Sequence, residues 1–202
     1  MQRIILGLAG AISLLVIAAA LFLTTTGRGD RPAPQAALAI DGAEIGGPFT
    51  LVDHTGATRA SSEVIDGPTL IYFGYTWCPD VCPIDTQIMV EVTDALAEKG
   101  ISATPIFITI DPARDDVASL SEWAEIWHPE MIAMTGSDAQ ISAAAKAYKA
   151  YYSRGPELED GGYLMNHSAF MYLTDPSGLR AVYRRGYPPD QIADDIAWVL
   201  EG

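Results

Sequence analysis

Pro68-Thr69-Leu70-Ile71-Tyr72-Phe73-Gly74-Tyr75-Thr76-Trp77-Cys78-Pro79-Asp80-Val81-Cys82-Pro83 is the stretch that decides how this chain folds. Its first half is an unbroken β-prone run, as expected for a strand buried on both faces of a sheet. Past the cysteines, Val81, Ile84, Ile88, Val92 and Leu96 recur at three- and four-residue steps up to Lys99-Gly100. That spacing predicts a helix closed by a glycine. Cys78-Pro79-Asp80-Val81-Cys82 therefore sits where a buried strand hands over to a helix, the place where open α/β sheets present ligands.

The alternation continues outward from this point. Phe49-Thr50-Leu51-Val52 before Asp53-His54-Thr55-Gly56 predicts a short strand and a turn. Pro105 to Ile110 predicts a second buried strand ending at Asp111-Pro112, and Leu120, Trp123, Ala124 and Trp127 predict a helix ending before Pro129. Met131 to Met134 predicts a third strand, Ser137 to Tyr151 a third helix, and Ser153 to Gly162 a polar, Gly-rich loop. The βαβαβα order implies a mostly parallel sheet with right-handed crossovers. Ala169 to Thr174 and Ala181 to Arg184 flank Asp175-Pro176-Ser177-Gly178, a hairpin turn, and Pro188-Pro189 opens a last helix to Leu200. The class is α/β, in a thioredoxin-like arrangement.

Composition limits the function. The chain has 202 residues, of which 49% are apolar and 19% charged, so it can build a core and is not disordered by composition. Lys plus Arg number 12 against 26 Asp plus Glu, a net charge of -14, which removes the electrostatic basis for nucleic-acid binding. Solubility accounts for most of that charge. With 2 Cys and 3 His, neither a disulfide scaffold nor a cysteine-only zinc site can form, so the chemistry belongs in one small place.

Ile4 to Leu23 runs without a charge, about 30 Å as a helix, which matches a bilayer core. A single N-terminal transmembrane helix is expected, retained rather than cleaved, because a signal-peptide core is usually ~7–15 residues long; Ala18-Ala19-Ala20 is where cleavage would fall. Arg3 favours an N-inside orientation. An Arg-rich amphipathic transit segment is missing before the span. The expected location is a bacterial inner membrane, single-pass, with the C-terminal domain in the periplasm. Expected boundaries are a cytoplasmic end at 1–3, an anchor at 4–23, a flexible linker at 24–39 and a thioredoxin-like domain at 40–202.

Two thiols spaced as Cys78 and Cys82 can close a disulfide or bind a soft metal ion. Both sulfurs lie near a helix N-terminus, whose free N–H groups and dipole favour thiolates. A static staple is disfavoured, because so short a loop gains little from closure. Zinc would want a fourth ligand that the sequence does not offer. His167, between the polar loop and the Ala169 strand, can reach the cysteines if the topology brings that strand's entrance beside them. His54 and His128 read as ordinary hydrogen-bonded residues, while Met89, Met131, Met134, Met165 and Met171 read as core. Asp80, Asp85 and Asp111 stand near the motif, as solvating or capping residues or as groups that tune the site or dock a partner.

Tyr72 to Pro83, Phe107-Ile108-Thr109-Ile110-Asp111-Pro112-Ala113-Arg114-Asp115 and Asn166-His167-Ser168-Ala169-Phe170-Met171-Tyr172-Leu173 together resemble the Sco/SenC family, in order and over nearly the whole soluble part. The resemblance implies a membrane-anchored thioredoxin-like domain that binds copper through Cys78, Cys82 and His167. Sulfur ligands favour a soft ion such as Cu(I), with Cu(II) left open. The implied role is delivery of copper to the CuA centre of cytochrome c oxidase subunit II, or reduction of that subunit's cysteines beforehand. A periplasmic copper chaperone or a thioredoxin-like reductant would be a second partner. Many members carry Asp before the histidine; Asn166 brings no charge there, so no carboxylate role is carried over. The alternative is a thiol-disulfide oxidoreductase with Cys78 attacking and Cys82 resolving. Against it stand the three residues between the cysteines, in place of two, and the lack of a proline directly before the Ala169 strand. No Thr-x-x-Cys pattern supports a peroxidase.

Overall fold

The computed structural model describes residues 35–38, 44–159 and 161–201. In chain order its elements are β1 (Thr50–Asp53), β2 (Thr58–Ala60), α1 (Ser61–Val64), β3 (Thr69–Gly74), α2 (Val81–Glu98), β4 (Thr104–Thr109), α3 (Val117–Trp127), β5 (Ile132–Thr135), α4 (Asp138–Ala147), β6 (Tyr152–Glu157), β7 (Tyr163–His167), β8 (Phe170–Asp175), β9 (Gly178–Arg184) and α5 (Pro189–Glu201). Seven strands form one sheet in the order β2-β1-β5-β4-β3-β8-β9.

The expected βα alternation is present, but the sheet is mixed rather than mostly parallel. Only β3–β4 and β4–β5 pair in parallel; β1–β2, β1–β5, β3–β8 and β8–β9 are antiparallel. For the pairs of strands that follow one another in the chain, the physical reason is connection length. Helices α2 and α3 supply the crossovers that parallel neighbours need, whereas short turns such as Asp175–Gly178 can only reverse the chain. All six residues of β3 are buried. Tyr72 and Phe73 point to opposite faces, as successive strand residues must. Tyr72 reaches Asp85 on α2, and Phe73 meets Tyr148 at the end of α4. Helical residues thus cover both faces of the central strand.

Two expectations for the segment before β8 change. The helix expected to reach Tyr151 ends at Ala147, and Lys149 then takes φ 55° while the Ala150 amide donates to the Ala145 carbonyl at 2.8 Å. This is a left-handed helix stop made by a lysine where glycine is usual, so the sequence carries no stop signal. The polar loop expected at 153–162 is largely a β-hairpin of β6 and β7, paired Tyr152↔His167, Ser153↔Asn166 and Arg154↔Met165. Gly155 permits the irregular step in it, since a Cβ there would lie 2.7 Å from the Leu164 carbonyl oxygen.

Among the described residues no helix is long and apolar enough to cross a membrane. The anchor expected at 4–23 lies outside the described residues, as does the linker expected at 24–39 except for 35–38. Those four residues are docked: the Gln35 and Ala36 amides donate to Asp195, and Leu38 donates to the Val182 carbonyl at 2.7 Å.

Candidate metal centre

The site forms at the carboxyl end of β3, where the chain turns through Tyr75 to Asp80 into α2. Cys78 lies in this turn, 9% exposed, and Cys82 lies in the first turn of α2 with no exposure. Asp80 holds the N-cap position yet makes no side-chain cap bond. The acceptor role passes to sulfur instead: the Cys82 amide donates to Cys78 Sγ at 3.4 Å. Pro83 fits the first helical turn because its missing N–H would have had no helical partner.

His167 ends β7, and its Nε2 lies 3.3 Å from Cys82 Sγ. The single ligand atoms of Cys78, Cys82 and His167 all lie within 4.8 Å of one another. Nδ1 donates to the Ser168 carbonyl at 3.1 Å, which places the neutral ring's lone pair on Nε2, facing the sulfurs. Tyr72 and Tyr75 meet the imidazole edge-on, each with centroids 6.1 Å away.

The environments of the two thiols differ. Burial pushes Cys82 far up, more strongly than its bonds to Tyr75 and Tyr72 pull it down. Burial also raises Cys78, but the amides of Cys82 and Asp80, with the Cys82 thiol and the Tyr75 hydroxyl, outweigh it and bring Cys78 below the ordinary thiol value. His167 is lowered by burial, against the bond to Ser168 and the field of Asp85. The two uncrosslinked sulfurs are thus unequal, Cys78 the more acidic and Cys82 the less, beside an imidazole less basic than usual. Two sulfurs and an imidazole form a soft donor set suited to Cu(I). Among the described residues no fourth His, Cys, Asp or Glu joins the cluster, which does not complete the tetrahedron of a structural zinc site.

The sequence profile of SCO1/SenC matches residues 38–201. The chain belongs to the SCO1/SenC family. Protein SenC of Rhodobacter capsulatus is 47% identical over 161 residues, covering 79% of this chain and 72% of that one. The mitochondrial SCO2 homolog of Bos taurus is 40% identical over 153 residues, covering 74% of this chain and 58% of its own, so the chain spans about three-fifths of that relative. The crystal structure of Arabidopsis thaliana ScoI with copper bound superposes with a TM-score of 0.75 at 33% identity, covering 78% of this chain and 98% of that one. The family's thioredoxin-type α/β fold is thus the fold here, and copper-bound Sco structures carry the metal for which the cluster of Cys78, Cys82 and His167 has suitable donors.

The remaining candidate residues lie apart from the three donors or behind them. His54 accepts from the Ala133 amide, and His128 accepts from Glu130 and faces Asp94, both away from the cluster. Met89, Met131, Met134 and Met171 are buried, and Met165 is partly buried against the core. Asn166 is exposed and alternates with His167 on β7, so the missing carboxylate concerns a side chain on the far side of the strand. Asp80 is exposed. Asp85 is buried, accepts from the Tyr72 hydroxyl at 2.9 Å and forms an ion pair with Arg185 at 2.7 Å that lacks hydrogen-bond geometry. Asp111 is held by Arg114 and Tyr163. Sequence reasoning missed the roles of Tyr72, Tyr75, Arg114 and Tyr163. The first three lie inside the family motifs, but only side-chain contacts distinguish them from core and surface residues.

Proposed function

We propose that this protein is a copper-binding metallochaperone that assists assembly of the CuA centre of cytochrome c oxidase, with Cu(I) as cargo held by Cys78, Cys82 and His167. The observation that carries the reading is the convergence of three soft donors, from two distant parts of the chain, within 4.8 Å. A three-donor site leaves room for an incoming thiolate to add before an old ligand leaves, which suits release to a partner better than permanent storage. Trp77, Leu158 and Leu164 are exposed beside the site, and exposed apolar groups of this kind support docking of a protein partner such as subunit II. The uncharged stretch Ile4 to Leu23 supports a single-pass anchor in a bacterial inner membrane, with residues 40–202 in the periplasm and residues 24–39 as the tether.

The test is Cu(I) competition titration of the reduced full chain. His167→Ala is expected to weaken binding at least about a hundredfold, since even the outer partners of metal ligands cost 10–100-fold. Unchanged affinity would refute the three-donor site. A second reading, reduction of the subunit II cysteines, is favoured by the asymmetry of the thiols: Cys78 is lowered and suits attack, while Cys82 is raised and suits resolution. In that reaction the Cys78 thiolate attacks the target disulfide. Cys82 then closes the disulfide with Cys78, and two thiols leave on the target. Turnover of a disulfide target by the reduced chain, unaffected by His167→Ala, would promote it over the chaperone reading.

A further inference from the structure

His167 is delivered by a structure that the main sheet does not hold. Strands β6 and β7 form their own two-stranded sheet and share no ladder with the seven-stranded one. At the His167 end the two arms of the hairpin are closed on each other by the Ser168 amide donating to the Tyr151 carbonyl at 2.9 Å, and they join the body through the chain itself, which leaves α4 shortly before Tyr152 and enters β8 at Phe170. The opposite end meets the body of the domain through Tyr163, at the start of β7. Its hydroxyl donates to Asp111 Oδ1 at 2.8 Å. Arg114 Nη1 donates to the Tyr163 carbonyl at 2.9 Å, while Arg114 Nε donates to Asp111 Oδ2 at 2.5 Å. The Arg114 guanidinium stacks 3.7 Å from the Tyr163 ring centroid, and Arg154 stacks on the same ring at 3.8 Å. Two guanidiniums that close to one centroid must lie on opposite faces, so the ring is clamped between the body and β6.

This clamp bears on the ligand because of strand periodicity. Tyr163, Met165 and His167 share the inward side of β7, and Leu164 and Asn166 face out. A shift of Tyr163 away from Asp111 turns that inward row and draws Nε2 from Cys82. Asp111 is 3% exposed and follows the end of β4, so the fixed side of the clamp is part of the core sheet. We propose that Asp111, Arg114 and Tyr163 are positioning residues that latch the hairpin and thereby set how readily His167 leaves the site, a proposal that rests on the copper reading of that site. The latch touches neither sulfur. Arg114 also lies 5.7 Å from the Tyr75 ring and 5.8 Å from the Trp77 ring, and the Tyr75 hydroxyl meets the Met165 backbone, so Tyr163→Phe, which leaves Arg114 and Tyr75 in place, is the variant that isolates the hairpin from the cysteine turn.

The experiment is a double-mutant cycle in the full chain with Tyr163→Phe, which removes the bond to Asp111 and keeps the stacked ring. Cu(I) transfer to a chromogenic Cu(I) chelator is timed for wild type, Tyr163→Phe, His167→Ala and the double variant. Loss of one hydrogen bond to a charged acceptor corresponds to about tenfold. Tyr163→Phe is therefore expected to speed transfer about tenfold when His167 is present and to leave it unchanged in the His167→Ala background. In the copper-free chain, amide hydrogen exchange at Leu164 to His167 should quicken by a similar factor while exchange in β3 and β4 stays the same. Arg114→Lys, which keeps the charge but loses the two directed bonds, should follow Tyr163→Phe. Equal acceleration in both backgrounds, or no acceleration, overturns the latch. Copper binding indifferent to His167→Ala, with hairpin exchange still responsive to Tyr163→Phe, instead overturns the copper reading and leaves the latch as a fold contact.

Discussion

A methyl group added at Gly74 would have nowhere to go. Its Cβ would lie 2.7 Å from the Tyr72 ring, 2.9 Å from the Phe107 ring and 3.2 Å from Cys82 Sγ. Two of those neighbours are fully buried rings, one on the same strand and one on adjacent β4, so Gly74→Ala is expected to cost about 1–3 kcal/mol by overpacking, read as a lower urea midpoint. It should also weaken Cu(I) binding, because the sulfur it displaces is one of the three proposed donors. Tyr72→Phe tests a subtler effect. It keeps the ring against His167 but leaves Asp85 with Arg185 alone, and a loss of about 1–2 kcal/mol is expected in the same denaturation assay. Among single residues the sequence displayed two of the three proposed donors, since Cys78 and Cys82 are its two cysteines. It did not display the groups that orient them, because a tyrosine that orients a ligand and a tyrosine that fills a core have the same letter.

Turns and helix ends carry the predictions for elements. Lys149 occupies the left-handed region at φ 55°, where a side chain strains the backbone and glycine does not. Lys149→Gly is expected to raise stability by about 1 kcal/mol, measured by thermal or urea unfolding, with no effect on copper affinity. Asp53 and Asp175 each close a turn. Burial raises Asp53, but the Thr55 hydroxyl and the amides of Ala57 and Thr55 outweigh it, and Ser177 and Arg180 do the same for Asp175, so both carboxyls are held below the ordinary value. A lowered carboxyl contributes stability above its unfolded pKa of about 3.9, and that contribution is lost as pH falls through the folded value. Asp53→Asn should therefore lose more stability relative to wild type at pH 7 than at pH 3. An equal deficit at both would show that the turn's bonds do not depend on ionisation. Asp85 and Asp115, which burial raises, act in the opposite sense, so the informative quantity is the difference between variant and wild type. Strong periodicity made α2 and β3 readable, whereas the 153–162 stretch read as a loop: β6 is polar, Gly-bearing and outside the main sheet, and without a fully buried face it shows no regular alternation.

For the molecule as a unit, one buried carboxylate ties the site to the sheet. Asp115 accepts from the Thr76 amide at 3.0 Å, from the Thr76 hydroxyl at 2.6 Å and from the Thr109 hydroxyl at 2.6 Å, while its carbonyl accepts from Thr135 at 2.9 Å. Those threonines follow or end β3, β4 and β5, so Asp115 binds together the carboxyl ends of all three parallel strands. Asp115→Ala leaves three donors at the protein interior without acceptors and is expected to cost about 2–5 kcal/mol. The loss should appear both in global unfolding and as weaker copper binding, since Thr76 adjoins the cysteine turn.

Local order is written directly in the chain: strand before cysteines, cysteines before helix, alternating elements, and two soft donors one helical turn apart. Those features follow from periodicity and neighbouring residue types, which act over a few positions. That β1 and β8 run against the parallel core emerges only when the sheet is assembled. So does the folding of a hairpin from the second half of the chain back over α2's first turn, where the imidazole of His167 meets a sulfur 85 positions earlier at 3.3 Å. Contacts of that separation are selected by the packing of the complete sheet, in which Gly74 leaves space and Tyr72, Tyr75, Arg114 and Tyr163 fill it, and no local pattern records that outcome.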